Sequence, residues 1–461
     1  MKKIIYHGFG ESHSAVIISS LYRKYNWTPV CLAGVALDEN NKLDGVPLFD
    51  CIISSPRLLR RAQFDYKNIS PPIYIDDEIL IKLSPYEATY LNMLGTFQDP
   101  TGFLYSYSDR KNYYIDVLTY WNTIIQTKKP NIVVFYTWPH TPSCYALYIL
   151  AKYAYGIETL FIDLVPLLNQ YCHLIQSSLE DLSYPLMLDI DNDEKNYNDN
   201  DKSEPISDEL QKHTLTDNAL LEKSTPLLNR LIGFSKNKFK LLIHRKISTN
   251  FDAENVDWKA NKKPYDATNS RMNRLQFYLL FEKMKYKNKS LQKYYDKKTN
   301  IPKIDENFIY FPAPYQPEAL SAMTGGGYEN VLLTLAVLSN ACPKDWTIYY
   351  KEHPSTFFEG LRGSLKRSKW FYDRLKMFEN IKLIPSDFNQ FELINNSKAV
   401  AIVTGTTAWE AVNRGKPVIS FGQGYYSRLR GIIRVVSLQD AKDAIALIRS
   451  GFKPNSDDLS K

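Results

Sequence analysis

The sequence predicts an α/β protein of two Rossmann-like lobes joined by a helical bridging segment. Three observations carry that prediction. The chain has 461 residues, whereas a single hydrophobic core stops growing at about 250 to 300 residues, so two domains are expected. Hydrophobic residues make up 44% and charged residues 23%, the balance of a globular protein rather than a disordered or fibrous one. Short apolar runs alternate with stretches of helical period on both sides of a polar interruption, the pattern of parallel sheets with crossover helices.

The boundaries follow from composition. Residues 1–187 form a first lobe, with strands expected at 3–6, 29–34, 51–54, 73–75, 131–136 and 159–163 and helices at 113–127 and 143–155. Residues 188–210, centred on DIDNDEKNYNDNDKSE, are too polar to bury a core and read as an acidic flexible linker. Residues 211–304 carry lysine and tyrosine at helical spacing and read as the bridge. Residues 305–461 hold a second series, with strands at 308–311, 346–350, 381–384, 399–403 and 417–421 and helices at 328–340, 365–376, 407–413 and 438–449. No repeat of fixed period occurs, so two unequal Rossmann-like lobes fit better than a solenoid.

Several function classes fall away on bulk properties. The opening MKKIIYHGFGES breaks at glycine after a short apolar run, so it reads as a first strand and not as a secretory signal. No run approaches the roughly 20 apolar residues of a membrane-spanning helix. Cys31, Cys51, Cys144, Cys172 and Cys342 are scattered, odd in number and without CxxC spacing, which points to a reducing cytosol. The formal charge is +7, with lysines partly gathered in residues 235–298 but in no nucleic-acid motif, so no nucleic-acid partner is expected. A basic, aromatic-rich surface suits anionic lipid headgroups, and a peripheral membrane contact is the secondary expectation.

The densest chemical signal is AVAIVTGTTAWEAVNRGKPVISFG, residues 399–422. An apolar strand runs into Thr404, Gly405, Thr406 and Thr407 before a helix opens, gathering N–H groups and hydroxyls at a helix N-terminus, which is an anion site. Glycine lets the backbone approach a phosphate, and the helix end favours the anion by about 0.3 to 2 kcal/mol. Threonines there are also ordinary N-caps. Glu410, in the first turn of that helix, would repel a phosphate and suits ribose hydroxyls instead. Gly415-Lys416-Pro417 stops the helix and starts the next strand.

The second signal is WTIYYKEHPST, residues 346–356, where a strand of aromatics ends in polar residues at its carboxyl edge. Ligands of open α/β sheets bind at that edge. His353 can donate a hydrogen bond to a phosphate leaving group, and Lys351 adds positive charge, which together meet negative charge as it departs. The plainer alternative is a structural hydrogen-bonder at a strand end. In the first lobe His7, Glu11 and His13 flank Gly8 and Gly10, His140 lies in YTWPHTPS, and Asp76 and Asp77 follow the strand expected at 73–75. The DxD patterns at Asp189 and Asp191, Asp191 and Asp193, and Asp199 and Asp201 lie in low complexity, with no strand to hold ligand geometry, so no metal is expected.

FPAPYQPE at 311–318 followed by Gly325-Gly326-Gly327, KEHP at 351–354 and TGTTAWEAVNRGKPVISFG, in that order and spacing, carry a resemblance. They look like the C-terminal lobe of the capsule polysaccharide biosynthesis glycosyltransferases, a group similar to the bacterial Kdo and sialic acid transferases of GT-B architecture. The resemblance covers about residues 305–435 well and the first lobe loosely. It implies a metal-independent glycosyltransferase that moves a sugar from a nucleotide-activated donor, CMP-linked by analogy, to a growing capsule or surface polysaccharide. No cofactor beyond the donor is implied.

By that resemblance His353, Thr406 and Thr407 contact donor phosphate and Glu410 the ribose, while Gln316 and Glu318 face the donor. The first lobe then holds a lipid-linked or polysaccharide acceptor and a general base, for which Glu11, His13 and His140 are the candidates, ahead of Asp76 and Asp77. The implied location is the cytoplasm, at the inner face of the membrane. At Ala313-Pro314 the chain departs from the Leu-His expected in this group, so a histidine that could line the cleft is missing. Two alternatives remain. A CDP-linked polyol-phosphate transferase would carry a TDYSS-like loop in place of TGTTAWEA, and a non-catalytic glycan-assembly protein would have kept the fold without the chemistry.

Overall fold

A computed structural model describes residues 1–9, 12–33, 45–46, 51–53, 64, 66, 69–97, 106–165, 172–176, 274–358 and 363–454. The linker expected at 188–210, the part of the bridge before residue 274, Glu11 and the DxD patterns lie outside them.

The first sheet contains β1 (Lys2–His7), β2 (Trp27–Ala33), β3 (Ile52–Ile53), β4 (Ile132–Phe135), β5 (Glu158–Val165) and β6 (Cys172–Gln176), in the order β3-β2-β1-β4-β5-β6. All neighbours are parallel except β6, which closes the edge antiparallel to β5. Strand β4 is IVVF and buried along its whole length, as expected of a strand covered on both faces. Among the described residues the lobe also holds helices α1 (Ser12–Tyr25), α2 (Asp77–Phe97), α3 (Tyr107–Lys128) and α4 (Pro142–Ile149). Helix α3 begins with a reciprocal cap: Asp109 N–H donates to Ser106 Oγ at 3.1 Å, and Ser106 N–H donates to Asp109 Oδ2 at 2.9 Å.

The strand expected at 73–75 is absent, and the reason is local. Pro71 and Pro72 precede it and cannot donate to a ladder. Instead the segment hangs from α3, with Ile73 N–H donating to Thr123 Oγ1 and Asn122 Nδ2 donating to Ile73 O, each at 2.9 Å. Asp76 and Asp77 therefore open a helix instead of ending a strand. Asp76 Oδ1 accepts Ile79 N–H at 2.9 Å. Helix α2 was not legible as a helix, because Pro85 interrupts its pattern.

The second sheet is wholly parallel, with β7 (Phe308–Pro312), β8 (Thr347–Lys351), β9 (Ile381–Ile384), β10 (Ala399–Ile402), β11 (Val418–Ser420) and β12 (Ile432–Arg434) in the order β12-β11-β10-β7-β8-β9. Alternate residues of β7 feed opposite faces: Ile309 and Phe311 join one core cluster, Phe308 and Tyr310 the other. Helices α5 (Arg274–Asp296), α6 (Ala319–Thr324), α7 (Val331–Ala341), α8 (Lys369–Leu375), α9 (Gln390–Asn396), α10 (Thr407–Asn413) and α11 (Leu438–Arg449) cover it. The described part of the bridge, α5, belongs to this core through Leu291 and Tyr295, and Tyr295 Oη donates to Ile384 O at 2.6 Å.

The two Rossmann-like lobes expected from the sequence are thus present. Counted within each lobe, both sheets run 3-2-1-4-5-6, so the chain reverses direction between β1 and β4 and again between β7 and β10. Such switch points open a crevice at the carboxyl edge. The lobes also touch: Ala322 and Met323 of α6 are part of the first lobe's core cluster, and Lys366 Nζ donates to Asn92 Oδ1.

Candidate active site

Three loops leave the carboxyl edge of the second sheet side by side, after β7, β8 and β10. Because β7 separates the other two strands and neighbours lie about 4.8 Å apart, the ends of β8 and β10 are roughly 10 Å from each other. The loop after β10 lies at the switch point. Thr404 is 9% exposed, Gly405 and Thr406 are exposed and Thr407 is half-buried. Gly405 has φ +139°, a conformation that favours glycine. A Cβ on Gly422, after β11, would lie 2.4 Å from Val403 O, so that loop crosses directly against the turn.

The plain N-cap reading of Thr406 does not hold. Its backbone is already helical, with φ −65° and ψ −20°, and its side chain makes no capping bond. Of the N–H groups expected in the turn, Gly405 N–H donates to Tyr426 Oη at 3.1 Å and is spent there. Glu410 is half-buried, and Gln390 Nε2 donates to its Oε2 at 3.4 Å.

His353 leaves the end of β8. Its Nδ1 accepts Ser355 N–H at 3.1 Å, capping the short 3₁₀ turn Pro354–Phe357. A neutral imidazole that accepts at Nδ1 carries its proton on Nε2, so Nε2–H is the donor. The Tyr315 ring, from the loop after β7, stands with its centroid 6.1 Å from that of His353. Lys351 is 7% exposed and lies on the sheet face of Tyr349, the face packed against α10, which carries Glu410.

Beneath His353 lies a buried network that the sequence reading passed over. Glu352 is fully buried and Arg367 is 4% exposed. Glu352 Oε2 accepts Arg367 Nε at 2.9 Å, Tyr350 Oη at 2.7 Å and Tyr372 Oη at 2.8 Å. Glu352 Oε1 accepts His353 N–H and Thr356 Oγ1, each at 3.2 Å. Burial pushes the guanidinium pKa down, but the Glu352 carboxylate, together with Tyr350 and Tyr372, more than offsets this and holds it above its ordinary value. Gln316 was expected to face the donor, yet both ends of its amide are engaged: Oε1 accepts Arg367 Nη1 at 2.7 Å, and Nε2 donates to Glu329 O at 2.8 Å. Glu318 is exposed at the N-terminus of α6.

At the switch point of the first sheet, His7 ends β1 and the loop Thr137–His140 follows β4. His7 is buried between the rings of Trp121 and Phe135, and burial, followed by repulsion from His140, lowers its pKa from 6.5 to about 4. It is therefore a neutral core residue at ordinary pH. His140 is exposed, and its Nδ1 lies 2.8 Å from Trp138 O. A carbonyl only accepts, so Nδ1 holds the proton, and in the neutral ring the lone pair is on Nε2. His13 lies in α1, and its side chain is outside the described set. Asp76 serves as the cap of α2.

Among the described residues, no group of three or more His, Cys, Asp or Glu is placed to hold a metal, and no helix is long and apolar enough to cross a membrane. Residues 261–444 match the capsule polysaccharide biosynthesis protein family, and the resemblance read over 305–435 falls inside that match. No protein of curated function matches the chain by sequence. Among solved structures, the β-Kdo 2,7 transferase KpsC of Thermosulfurimonas dismutans is similar at 19% identity and a TM-score of 0.23, over 38% of this chain and 57% of that one. The chain thus aligns with little more than half the length of that transferase. The UDP-GlcNAc 2-epimerase of Methanocaldococcus jannaschii is similar at 12% identity and a TM-score of 0.26, over 98% of this chain and 93% of that one. The calicheamicin glycosyltransferase CalG4 is similar at 9% identity and a TM-score of 0.22, over 100% of this chain and 94% of that one.

Proposed function

We propose that this chain transfers a sugar from a nucleotide-activated donor to a growing capsule or surface polysaccharide, with the donor on the second lobe and the acceptor on the first. The observation that carries the reading is the pair of opposite tautomers at the two sheet edges. With Nδ1 donating, the neutral His140 ring has its lone pair on Nε2, the form a general base requires, and with Nδ1 accepting, His353 has its proton on Nε2, the form a departing phosphate requires.

In this reading His140 takes the proton of an acceptor hydroxyl as its oxygen bonds to the anomeric carbon. The bond from that carbon to the phosphate oxygen breaks, and the charge left on the phosphate meets His353 Nε2–H and the hydroxyls of Thr406 and Thr407. Thr404 and Gly405 shape the turn, Lys351 contributes positive field, and Glu410 accepts from the ribose hydroxyls. The family match over residues 261–444 supports assigning the product to a surface polysaccharide. The same reading puts the reaction in the cytoplasm, at the inner face of the membrane.

Thermal-shift measurements with CMP, CDP, UDP and GDP test it. A nucleotide at 100 times its Kd stabilises by about 2.7 kcal/mol, and one of the four is expected to do so. The shift should vanish in His353→Asn, where Oδ1 can still accept Ser355 N–H but nothing replaces Nε2–H. A chain that responds to none of the four nucleotides does not bind such a donor. Release of CMP together with a polyol phosphate on the product would assign phosphotransfer instead.

A further inference from the structure

We infer that Arg367 is a positioning residue: with Glu352 it holds the two loops that flank the His353 imidazole, and so aims Nε2–H. The inference rests on the donor-side role of His353 proposed above.

The three nitrogens of the guanidinium reach three groups on two loops. Nε donates to Glu352 Oε2 at 2.9 Å, Nη1 to Gln316 Oε1 at 2.7 Å and Nη2 to Pro314 O at 3.2 Å. Pro314 and Gln316 bracket Tyr315, whose ring faces His353. On the other side, the second oxygen of Glu352 accepts the backbone N–H of His353 itself at 3.2 Å. One planar cation therefore fixes the loop after β7 directly and the loop after β8 through a single carboxylate.

Stability alone does not explain this arrangement. A buried ion pair can often be exchanged for apolar side chains of similar volume with no loss of stability. Apolar side chains cannot bond Pro314 O, the Gln316 amide and the His353 N–H in fixed directions. Lysine cannot do so either, since it is a point charge without the planar fork. Tyr350 and Tyr372 occupy the remaining positions around Glu352 Oε2 and keep the carboxylate from turning.

The experiment uses the full chain with 15N-labelled histidine and two-bond 1H–15N correlation spectra, in which His353 is assigned by its loss in His353→Asn. The wild type is expected to show His353 as the Nε2–H tautomer with an acceptor Nδ1. In Arg367→Lys that pattern is expected to average towards a mixture, with turnover down about 10- to 100-fold while melting still shows a folded chain. A folded Arg367→Lys protein that keeps the wild-type His353 pattern overturns the inference. Should Arg367→Lys fail to fold, Tyr372→Phe removes one donor from Glu352 without stranding a charge: a shifted His353 pattern supports the inference and an unchanged one overturns it. If the pattern shifts but the wild type binds none of the four nucleotides, the positioning role stands and the donor reading falls.

Discussion

His140 and His353 stand at corresponding edges of the two sheets, and they are held in opposite ways. His140 is tied by Nδ1 to a carbonyl two residues before it, a contact made wholly within its own loop. His353 accepts at Nδ1 from its own turn, but its backbone hangs from a carboxylate that five groups from four other side chains and one peptide surround. The exposed residue needs only a local tie to fix its tautomer. His353 also has a local tie at Nδ1, but the carboxylate that holds its backbone is itself bonded to Arg367 and Tyr372, farther along the chain.

Removing the lone pair of the first histidine is the most direct way to break the comparison. His140→Ala is expected to lower turnover by about 10²- to 10⁴-fold, the usual worth of a general base, while leaving the nucleotide-induced thermal shift in place. If steady-state rates hardly change, the base lies elsewhere in the first lobe. Disrupting the support of the second histidine should instead cost stability. Glu352→Ala strands the Arg367 charge in the core, and a loss of about 3 to 5 kcal/mol is expected by urea unfolding. A loss under 1 kcal/mol would mean that solvent enters and the network is looser than its bonds indicate.

A third measurement separates His140 from the buried histidine beside it. His7 has a pKa of about 4 in the folded chain and 6.5 when unfolded, so between those values the unfolded state binds the extra proton. Stability tied to this group is therefore complete above pH 6.5 and is lost as pH falls towards 4, by roughly 3 kcal/mol in all. His7→Phe should keep the contacts with Trp121 and Phe135 and flatten that part of the pH–stability curve. An unchanged slope would assign the acid sensitivity to other groups. The smallest effect is expected at Asp76: Asp76→Ala should cost about 1 kcal/mol through the lost cap of α2 and leave turnover alone. A large drop in rate would return this carboxylate to the list of candidate bases.

Much of the fold was legible because fully buried strands announce themselves locally. The run IVVF, the strand Ile381–Ile384 and the helices Thr407–Asn413 and Leu438–Arg449 fall where apolar periodicity places them. Residues 73–75 misled because an apolar triplet resembles a strand until the two prolines before it are counted. Of the site, the KEHP and TGTT segments could be read from residue type and position at a strand end. Glu352 was overlooked beside its two neighbours, although its place one step past Tyr350 on the core face marked it as a charge that burial would force to find a partner.

The sequence by itself determined the two alternating series, the strand-end position of His140 and His353 and the threonine turn, because each depends on neighbours a few residues away. Only the tertiary structure decided that the strand order reverses beside His140 and the threonine turn, that Tyr426 takes the Gly405 N–H, and that Arg367 meets Glu352, Gln316 and Pro314 around one guanidinium. Those contacts join segments whose separation along the chain carries no signal of its own, and they form because a buried donor or charge is costly until a partner from elsewhere in the fold satisfies it.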